Sequence, residues 1–133
     1  MTDFKIILQS NDLKATHQRL VILNELEKSK HIDIDKLYEL VTVNCPTLSK
    51  ATLYRNLNDL ILKNIVSEVQ FSNQKKLYEI TKTPHIHLVC KKCDSIIDKT
   101  IDTSSLFNEV SKNSNFQIET SSISLSGICE ECL

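Results

Sequence analysis

Two matched pairs of cysteines constrain this chain more than any other feature. Cys90 and Cys93 form one Cys-x-x-Cys motif, and Cys129 and Cys132 form a second one after 35 intervening residues. Each motif offers two thiolates on a tight turn, and two motifs complete the tetrahedral sulfur shell that Zn²⁺ prefers. A closed shell leaves no position for a substrate, so the spacing predicts a structural zinc site. A reactive redox pair is the alternative interpretation.

The composition predicts the cellular compartment of this chain. Its 133 residues are 41% hydrophobic and 25% charged, as in ordinary globular proteins. We identify no apolar run long enough to cross a bilayer and no signal peptide over residues 1–12. We therefore expect a cytosolic protein without a membrane partner, whose reduced thiols bind metal rather than form disulfides. The fifth cysteine, Cys45, stands alone before Pro46 and is expected to be an inert thiol.

The first half of the chain is predicted to be mainly helical. One short helix is expected over residues 3–10. Three more are expected to follow polar residues that favour the N-cap position, namely Thr16, then Asp33 or Asp35, then Ser49. The fourth helix carries leucines at helical spacing and therefore has one apolar face.

A hairpin is predicted directly after these helices. Two β-prone runs, residues 65–71 and 76–80, flank the turn-like residues 72–75. Helices followed by a hairpin have the order of a winged helix-turn-helix, in which the fourth helix enters the major groove of double-stranded DNA. Residues 1–83 carry twelve Lys and Arg against ten Asp and Glu, a net charge of only +2. Any DNA contact must therefore come from local clusters of charge.

A polar stretch that ends in proline, residues 81–84, is the predicted hinge between two domains, residues 1–80 and 85–133. In the second domain, two strands flank the first cysteine pair, a short helix covers residues 104–114, and an extended segment spans residues 116–127. Abundant Ser, Thr and Asn leave a thin apolar core, which needs a metal ion or a partner for stability. The predicted fold class is α+β, with a winged-helix domain and a small α/β dimerisation domain that carries the four cysteines.

Histidines and carboxylates form a second candidate metal site. His85 and His87 are two residues apart on an extended segment, so both imidazoles fall on the same side. Asp98 lies on the returning strand, Glu79 ends the hairpin, and His31 lies between the second and third helices. A mixed nitrogen and oxygen set suits Fe²⁺, Mn²⁺ or Zn²⁺. Taken singly, each of these is an ordinary surface residue, and the His-x-His pair is the strongest candidate.

A zinc hydrolase or deaminase is the alternative function, with an ion on the His-x-His pair that activates water. We find no His-x-Glu or His-Glu-x-x-His motif to support it, and the single glycine leaves no loop that could cradle a phosphate.

The chain resembles the ferric uptake regulator family over nearly its whole length. The resemblance is carried by four motifs in order: LKATHQRLVIL, SKATLYRNLNDL, HIHLVCKKC and GICEEC. It implies a homodimeric, metal-dependent repressor of transcription, not an enzyme, which binds palindromic operator DNA when a regulatory Fe²⁺ or Mn²⁺ is bound. It also implies the regulatory ligands His31, Glu79, His85, His87 and Asp98. Because these ligands come from both halves, a bound cation would fix the angle between the domains.

The resemblance also implies DNA contacts. Tyr54 and Arg55 match helix positions that face DNA, and Lys14 matches a basic residue near the minor groove. Ser49 and Lys50, at the start of the fourth helix, are expected to contact phosphate on physical grounds. Packing in the core is the alternative for Tyr54.

Three departures from the family pattern matter, and two of them bear on the predicted stimulus. His17 replaces a common proline at the helix start, and Ser121 replaces a histidine of a further metal site, which is therefore predicted to be absent. Glu79 resembles the iron-sensing branch. The short chain, the missing site and Asp98 resemble the peroxide-sensing branch instead, so the stimulus is left open between iron and peroxide.

Overall fold

Two compact units, residues 1–81 and residues 82–133, make up the chain in a computed structural model. The structure describes residues 2–71, 75–82, 85–119 and 121–133. Residues 72–74 of the predicted turn and residues 83–84 of the predicted hinge lie outside the described residues. Within the described part, no helix is long and apolar enough to cross a membrane.

Four helices and a three-stranded antiparallel sheet are formed by the described part of the first unit. The helices are α1 (Phe4–Ser10), α2 (His17–Ser29), α3 (Ile34–Asn44) and α4 (Lys50–Leu62). The strands are β1 (Ile32–Asp33), β2 (Val66–Val69) and β3 (Leu77–Ile80), in the order β1-β3-β2. The predicted helices and the β2–β3 pairing are confirmed, whereas the two-residue strand β1 was not predicted.

Side-chain caps fix where these helices begin. Each cap accepts a hydrogen bond from the backbone N–H three residues later, one of the groups that a helix start leaves unpaired. The caps are Asp3, Thr16, Asp33 and Ser49. Of the two aspartates considered for α3, Asp33 is therefore the cap.

The core of the first unit is built from the apolar faces of its helices. Its fully buried side chains include Leu8, Ile22, Leu23, Leu26, Leu37, Leu53, Leu57 and Leu60. The last three form the inward stripe of α4, which turns the opposite face of that helix outward. Tyr54 lies on this outward face and is 42% exposed, so the alternative that it packs in the core is wrong.

The described residues of the second unit form a three-stranded sheet and one α-helix. Its elements are β4 (Ile86–Cys90), β5 (Ile96–Lys99), α5 (Ser104–Ser114) and β6 (Ser124–Gly127), followed by a 3₁₀ turn at Glu130–Cys132. β4 is the central strand, antiparallel to β5 and parallel to β6. Of the extended segment predicted over residues 116–127, only its last part forms a strand among the described residues.

Little of the second unit is buried. Among its described residues, only Ile86, His87 and Cys90 are buried. Apolar side chains on α5 and β6 are exposed, including Leu106 at 50% and Leu125 at 53%. A unit of this size with so small an apolar core needs another source of stability, as the composition predicted.

Candidate metal centres and DNA-binding face

The four cysteines of the second unit come together at one end of its sheet. The parallel pairing of β4 with β6 sets Cys90 opposite Gly127, which brings the two Cys-x-x-Cys motifs side by side. All four sulfurs lie within 4.8 Å of one another, and Cys93 Sγ is 3.7 Å from Cys129 Sγ. Sulfurs at the corners of a tetrahedron with Zn–S bonds of about 2.3 Å are about 3.8 Å apart. The cluster therefore fits a Zn²⁺ ion.

The acidities of these thiols also fit a bound cation. The backbone N–H of Cys129, 3.4 Å from Cys90 Sγ, and that of Cys93 lower the pKa of Cys90 to about 6. Neighbouring thiols, first that of Cys129, raise the pKa of Cys132 to about 12. Crowded thiolates repel one another, so all four ionise together only when a cation compensates their charge.

A histidine and a buried glutamate meet in the first unit. β1 pairs with β3 so that Ile32 lies opposite Tyr78, and the residues next to that pair are His31 and Glu79. His31 Nε2 lies 2.9 Å from Glu79 Oε2, and Glu79 is only 2% exposed. An imidazole nitrogen and a carboxylate oxygen at this distance form a partial nitrogen–oxygen site for a divalent cation.

Three further predicted ligands converge in the second unit. His85 and His87 point to the same side of the strand, as their spacing predicts, and their Nε2 atoms are 3.2 Å apart. The β4–β5 register sets Asp98 opposite His87, with Asp98 Oδ1 3.6 Å from His87 Nε2. Two imidazole nitrogens and one carboxylate oxygen suit Fe²⁺, Mn²⁺ or Zn²⁺. These residues are separate from the four cysteines.

The predicted DNA contacts lie on exposed parts of the first unit. Ser49 and Lys50 are at the N-terminus of α4, where backbone N–H groups and the helix dipole favour a phosphate. The exposed side chains of this set are Lys14, Ser49, Lys50, Tyr54 and Arg55.

Arg19 links two of these elements and was not among the residues predicted from the sequence. Its Nη1 donates a hydrogen bond to the carbonyl oxygen of Lys14 at 3.0 Å. Its Nε and Nη2 donate to Asn56 Oδ1 at 3.2 Å and to Asp59 Oδ2 at 3.1 Å, both on α4. One guanidinium therefore holds the loop of Lys14 against the predicted recognition helix.

Asp35 was expected only as a possible cap of α3, and the contacts that it makes instead were not predicted from the sequence. Its carboxylate accepts hydrogen bonds from Lys50, at the start of α4, and from Lys75, close before β3, the latter at 2.8 Å. These two lysines, Lys50 foremost, lower the pKa of Asp35 to about 2. Partners 15 and 40 residues away leave no local pattern in the sequence that could reveal this bridge.

Comparisons with known proteins find relatives over nearly the whole chain. The profile of the ferric uptake regulator family matches residues 10–126. The ferric uptake regulation protein of Campylobacter jejuni is 33% identical over 136 residues, covering 97% of this chain and 85% of that protein. These matches give no support to a hydrolase or deaminase.

Solved structures show the same likeness. The peroxide stress regulator of Campylobacter jejuni is 33% identical, with a TM-score of 0.75 over 98% of this chain and all of that one. The ferric uptake regulator of Helicobacter pylori, described as having three functional metal-binding sites, is 25% identical, with a TM-score of 0.73 over 97% of this chain and 88% of that one. Because the profile covers both units and the likeness extends over nearly the whole chain, we conclude that this protein belongs to the ferric uptake regulator family.

Proposed function

We propose that this chain is a metal-dependent transcriptional repressor that binds palindromic operator DNA as a homodimer in the cytosol. Members of its family are regulators of transcription and not enzymes, so the His-x-His pair serves regulation rather than hydrolysis. The observation that carries the proposal is the convergence of His85, His87 and Asp98 apart from a complete four-sulfur cluster. The four sulfurs complete a structural zinc site by themselves, so a purely structural role does not explain this second set of ligands.

The first unit is the part that reads DNA. The exposed face of α4, with Tyr54 and Arg55, enters the major groove, while Ser49 and Lys50 contact phosphate. Lys14 lies towards the minor groove, held to α4 through Arg19. The exposure of all five side chains supports this assignment.

The second unit is the dimerisation domain, and its four cysteines hold a structural Zn²⁺. Exposed apolar side chains such as Leu106 and Val110, one turn apart on α5, supply surface that a partner subunit can cover. Zinc binding and dimerisation together replace the large core that this unit lacks.

The regulatory cation takes ligands from both units in this proposal. His31 and Glu79 form one group of donors, and His85, His87 and Asp98 form the other. A cation coordinated by both groups of donors would hold the two units in one arrangement. Each dimer then presents two recognition helices at the spacing of successive operator half-sites. Without the cation, fewer molecules have the arrangement that binds DNA. The apparent DNA affinity then falls in proportion to the population of that arrangement.

Two metal sites are proposed for each chain. The Helicobacter pylori regulator is described with three functional sites. Here Ser121 stands where the family resemblance places a histidine of a further site, so we propose that this chain lacks the third one.

The regulatory site is tested by replacing His87 with alanine. Operator affinity of the zinc-loaded protein is measured by fluorescence anisotropy with and without Mn²⁺, using DNA selected on the Mn²⁺-loaded protein. The expected result is loss of at least about a factor of ten in Mn²⁺-dependent affinity, the scale of a 1.4 kcal/mol coupling between metal and DNA. His17→Ala removes an exposed histidine outside both sites and is the matched control. Unchanged Mn²⁺ dependence in His87→Ala would contradict the proposal.

The stimulus is decided by a second experiment. Relatives of both kinds are similar to this chain, and the Campylobacter jejuni ferric uptake regulation protein and peroxide stress regulator are each 33% identical to it. Operator binding is measured anaerobically with Fe²⁺ and with Mn²⁺, and again after peroxide. Loss of binding only with iron and peroxide together identifies a peroxide sensor, whereas insensitivity to peroxide identifies an iron sensor.

A further inference from the structure

One predicted metal ligand of the second unit, Asp98, already forms an ion pair with a lysine of its own chain. Lys82 Nζ lies 2.8 Å from Asp98 Oδ2. The other carboxylate oxygen, Oδ1, faces His87 Nε2 at 3.6 Å. The side chain of Lys82 is 41% exposed and that of Asp98 is 24% exposed, so the pair is only partly screened by water.

This contact matters because a carboxylate shared with an ammonium group is a weaker metal ligand. The hydrogen bond from Lys82 neutralises part of the charge that attracts a divalent ion to Asp98. A cation bound at Oδ1 also lies within a few ångströms of the ammonium group, where the repulsion between like charges is substantial. An isolated ion pair of this kind contributes little to the stability of the fold, so its main effect is on the affinity of the site for a metal ion.

We propose that Lys82 competes with the regulatory metal for Asp98 and thereby sets the metal concentration at which the repressor responds. This inference rests on the proposed regulatory role of His85, His87 and Asp98. Lys82 is a specificity-determining residue as well. Mn²⁺ prefers oxygen ligands and loses most when the carboxylate is shared, whereas Zn²⁺ is bound well by the imidazoles.

The test compares metal affinities of zinc-loaded dimers that differ at Lys82. Mn²⁺ binding is followed by the loss of the electron paramagnetic resonance signal of aqueous Mn²⁺, and Zn²⁺ binding at the second site by competition with a chelator. Lys82→Met keeps the length of the side chain without its charge, and Lys82→Arg keeps the charge. Lys99→Met is the matched control, because Lys99 is exposed and follows Asp98 on β5, where successive side chains point to opposite faces.

The expected result is a gain of about tenfold in Mn²⁺ affinity for Lys82→Met, from the removal of one nearby positive charge. The gain for Zn²⁺ is smaller, about threefold or less. Lys82→Arg is expected to bind like the wild type, and Lys99→Met to stay within about twofold of it. Equal structural zinc content and equal dimer mass establish that the variants are folded. Lys82→Gln is a second variant that removes the charge with a different side chain.

His87→Ala separates failure of this inference from failure of the proposed function. If wild type and His87→Ala bind Mn²⁺ alike, the proposed metal site itself is wrong. If His87→Ala abolishes binding while Lys82→Met binds Mn²⁺ within about twofold of the wild type, or more weakly, the competition is overturned and the site stands.

Discussion

Asp33 and Asp35 show how contacts, rather than residue type, decide the role of a side chain. Both are aspartates near the start of α3. Asp33 accepts a hydrogen bond from the N–H of Lys36 and begins the helix. Asp35 points instead to lysines on two other elements and neutralises them in part. Only the second role is expected to affect DNA binding, because Lys50 is one of the predicted phosphate contacts.

Replacing Asp35 with asparagine is expected to strengthen binding to operator and unrelated DNA alike. Lys50 and Lys75 then lose the carboxylate that competes with phosphate. If both engage DNA, the plot of log affinity against log salt should become steeper by about 1 to 2. Anisotropy titrations between about 50 and 200 mM salt measure this slope.

Glu39→Gln is the matched control, since it removes the same charge from an exposed position of α3 that faces Lys36 at 3.6 Å. An unchanged slope in Asp35→Asn would show that the released lysines do not reach phosphate. The pKa of Asp35 is lowered to about 2, so the pair is fully formed above the ordinary aspartate pKa of 3.8 and is lost as the pH falls towards 2. The effect of the substitution should therefore be constant across neutral pH.

At the scale of single elements, α4 depends on its N-cap residue in two ways. The Ser49 hydroxyl accepts a hydrogen bond from the N–H of Thr52 at 3.1 Å and so starts the helix. Ser49 is also an exposed residue at the helix end that is proposed to contact a phosphate. Stability and DNA binding can be separated here because aspartate is also a good cap but repels phosphate.

Ser49→Ala is expected to lower the free energy of unfolding by about 1 kcal/mol, because the N–H of Thr52 loses its partner. Ser49→Asp should keep the stability and lose DNA affinity, whereas Ser49→Asn should keep both. Urea denaturation and anisotropy on the same three variants measure the two properties. Operator affinity in Ser49→Asp equal to that of the wild type would place this helix end away from phosphate.

β1 has an influence on the candidate site far beyond its length. It contains only Ile32 and Asp33, yet its pairing with β3 sets His31 beside Glu79. A strand of two residues carries no alternating pattern, so periodicity could not reveal it. In the sequence, His31 was a weak candidate ligand, which only the family resemblance strengthened.

At the scale of the whole molecule, the two units are stabilised differently. The first has a continuous core of buried leucines and isoleucines, and the described part of the second has almost none. Loss of zinc should therefore unfold the second unit while the first keeps its structure.

Cys90→Ser tests this difference by removing the buried member of the sulfur cluster. Hydrogen–deuterium exchange is expected to show loss of amide protection across residues 85–133, with protection over α2–α4 unchanged, and the protein should become monomeric. Cys45→Ala removes a buried thiol from the first unit and is the control. A dimeric Cys90→Ser variant with protected amides in both units would remove the structural role of the cluster.

The sequence alone predicted what depends on neighbouring residues. Helix starts at Thr16 and Ser49 follow from a polar side chain and the N–H three residues later, and the common side of His85 and His87 follows from strand pleating. The two cysteine pairs needed only their spacing to predict a zinc site. These are interactions that a few consecutive residues specify by themselves.

Only the tertiary structure decided which distant residues meet. The parallel pairing of β4 with β6, the bridge of Asp35 to two lysines, the link from Arg19 to α4, and the contact of Lys82 with Asp98 all join residues more than ten positions apart. Such pairs form because the whole unit buries its apolar faces and fixes the strand register, and the polar side chains then meet wherever that packing places them. No local pattern encodes their contacts, so the positive charge beside Asp98 appears only in the folded chain.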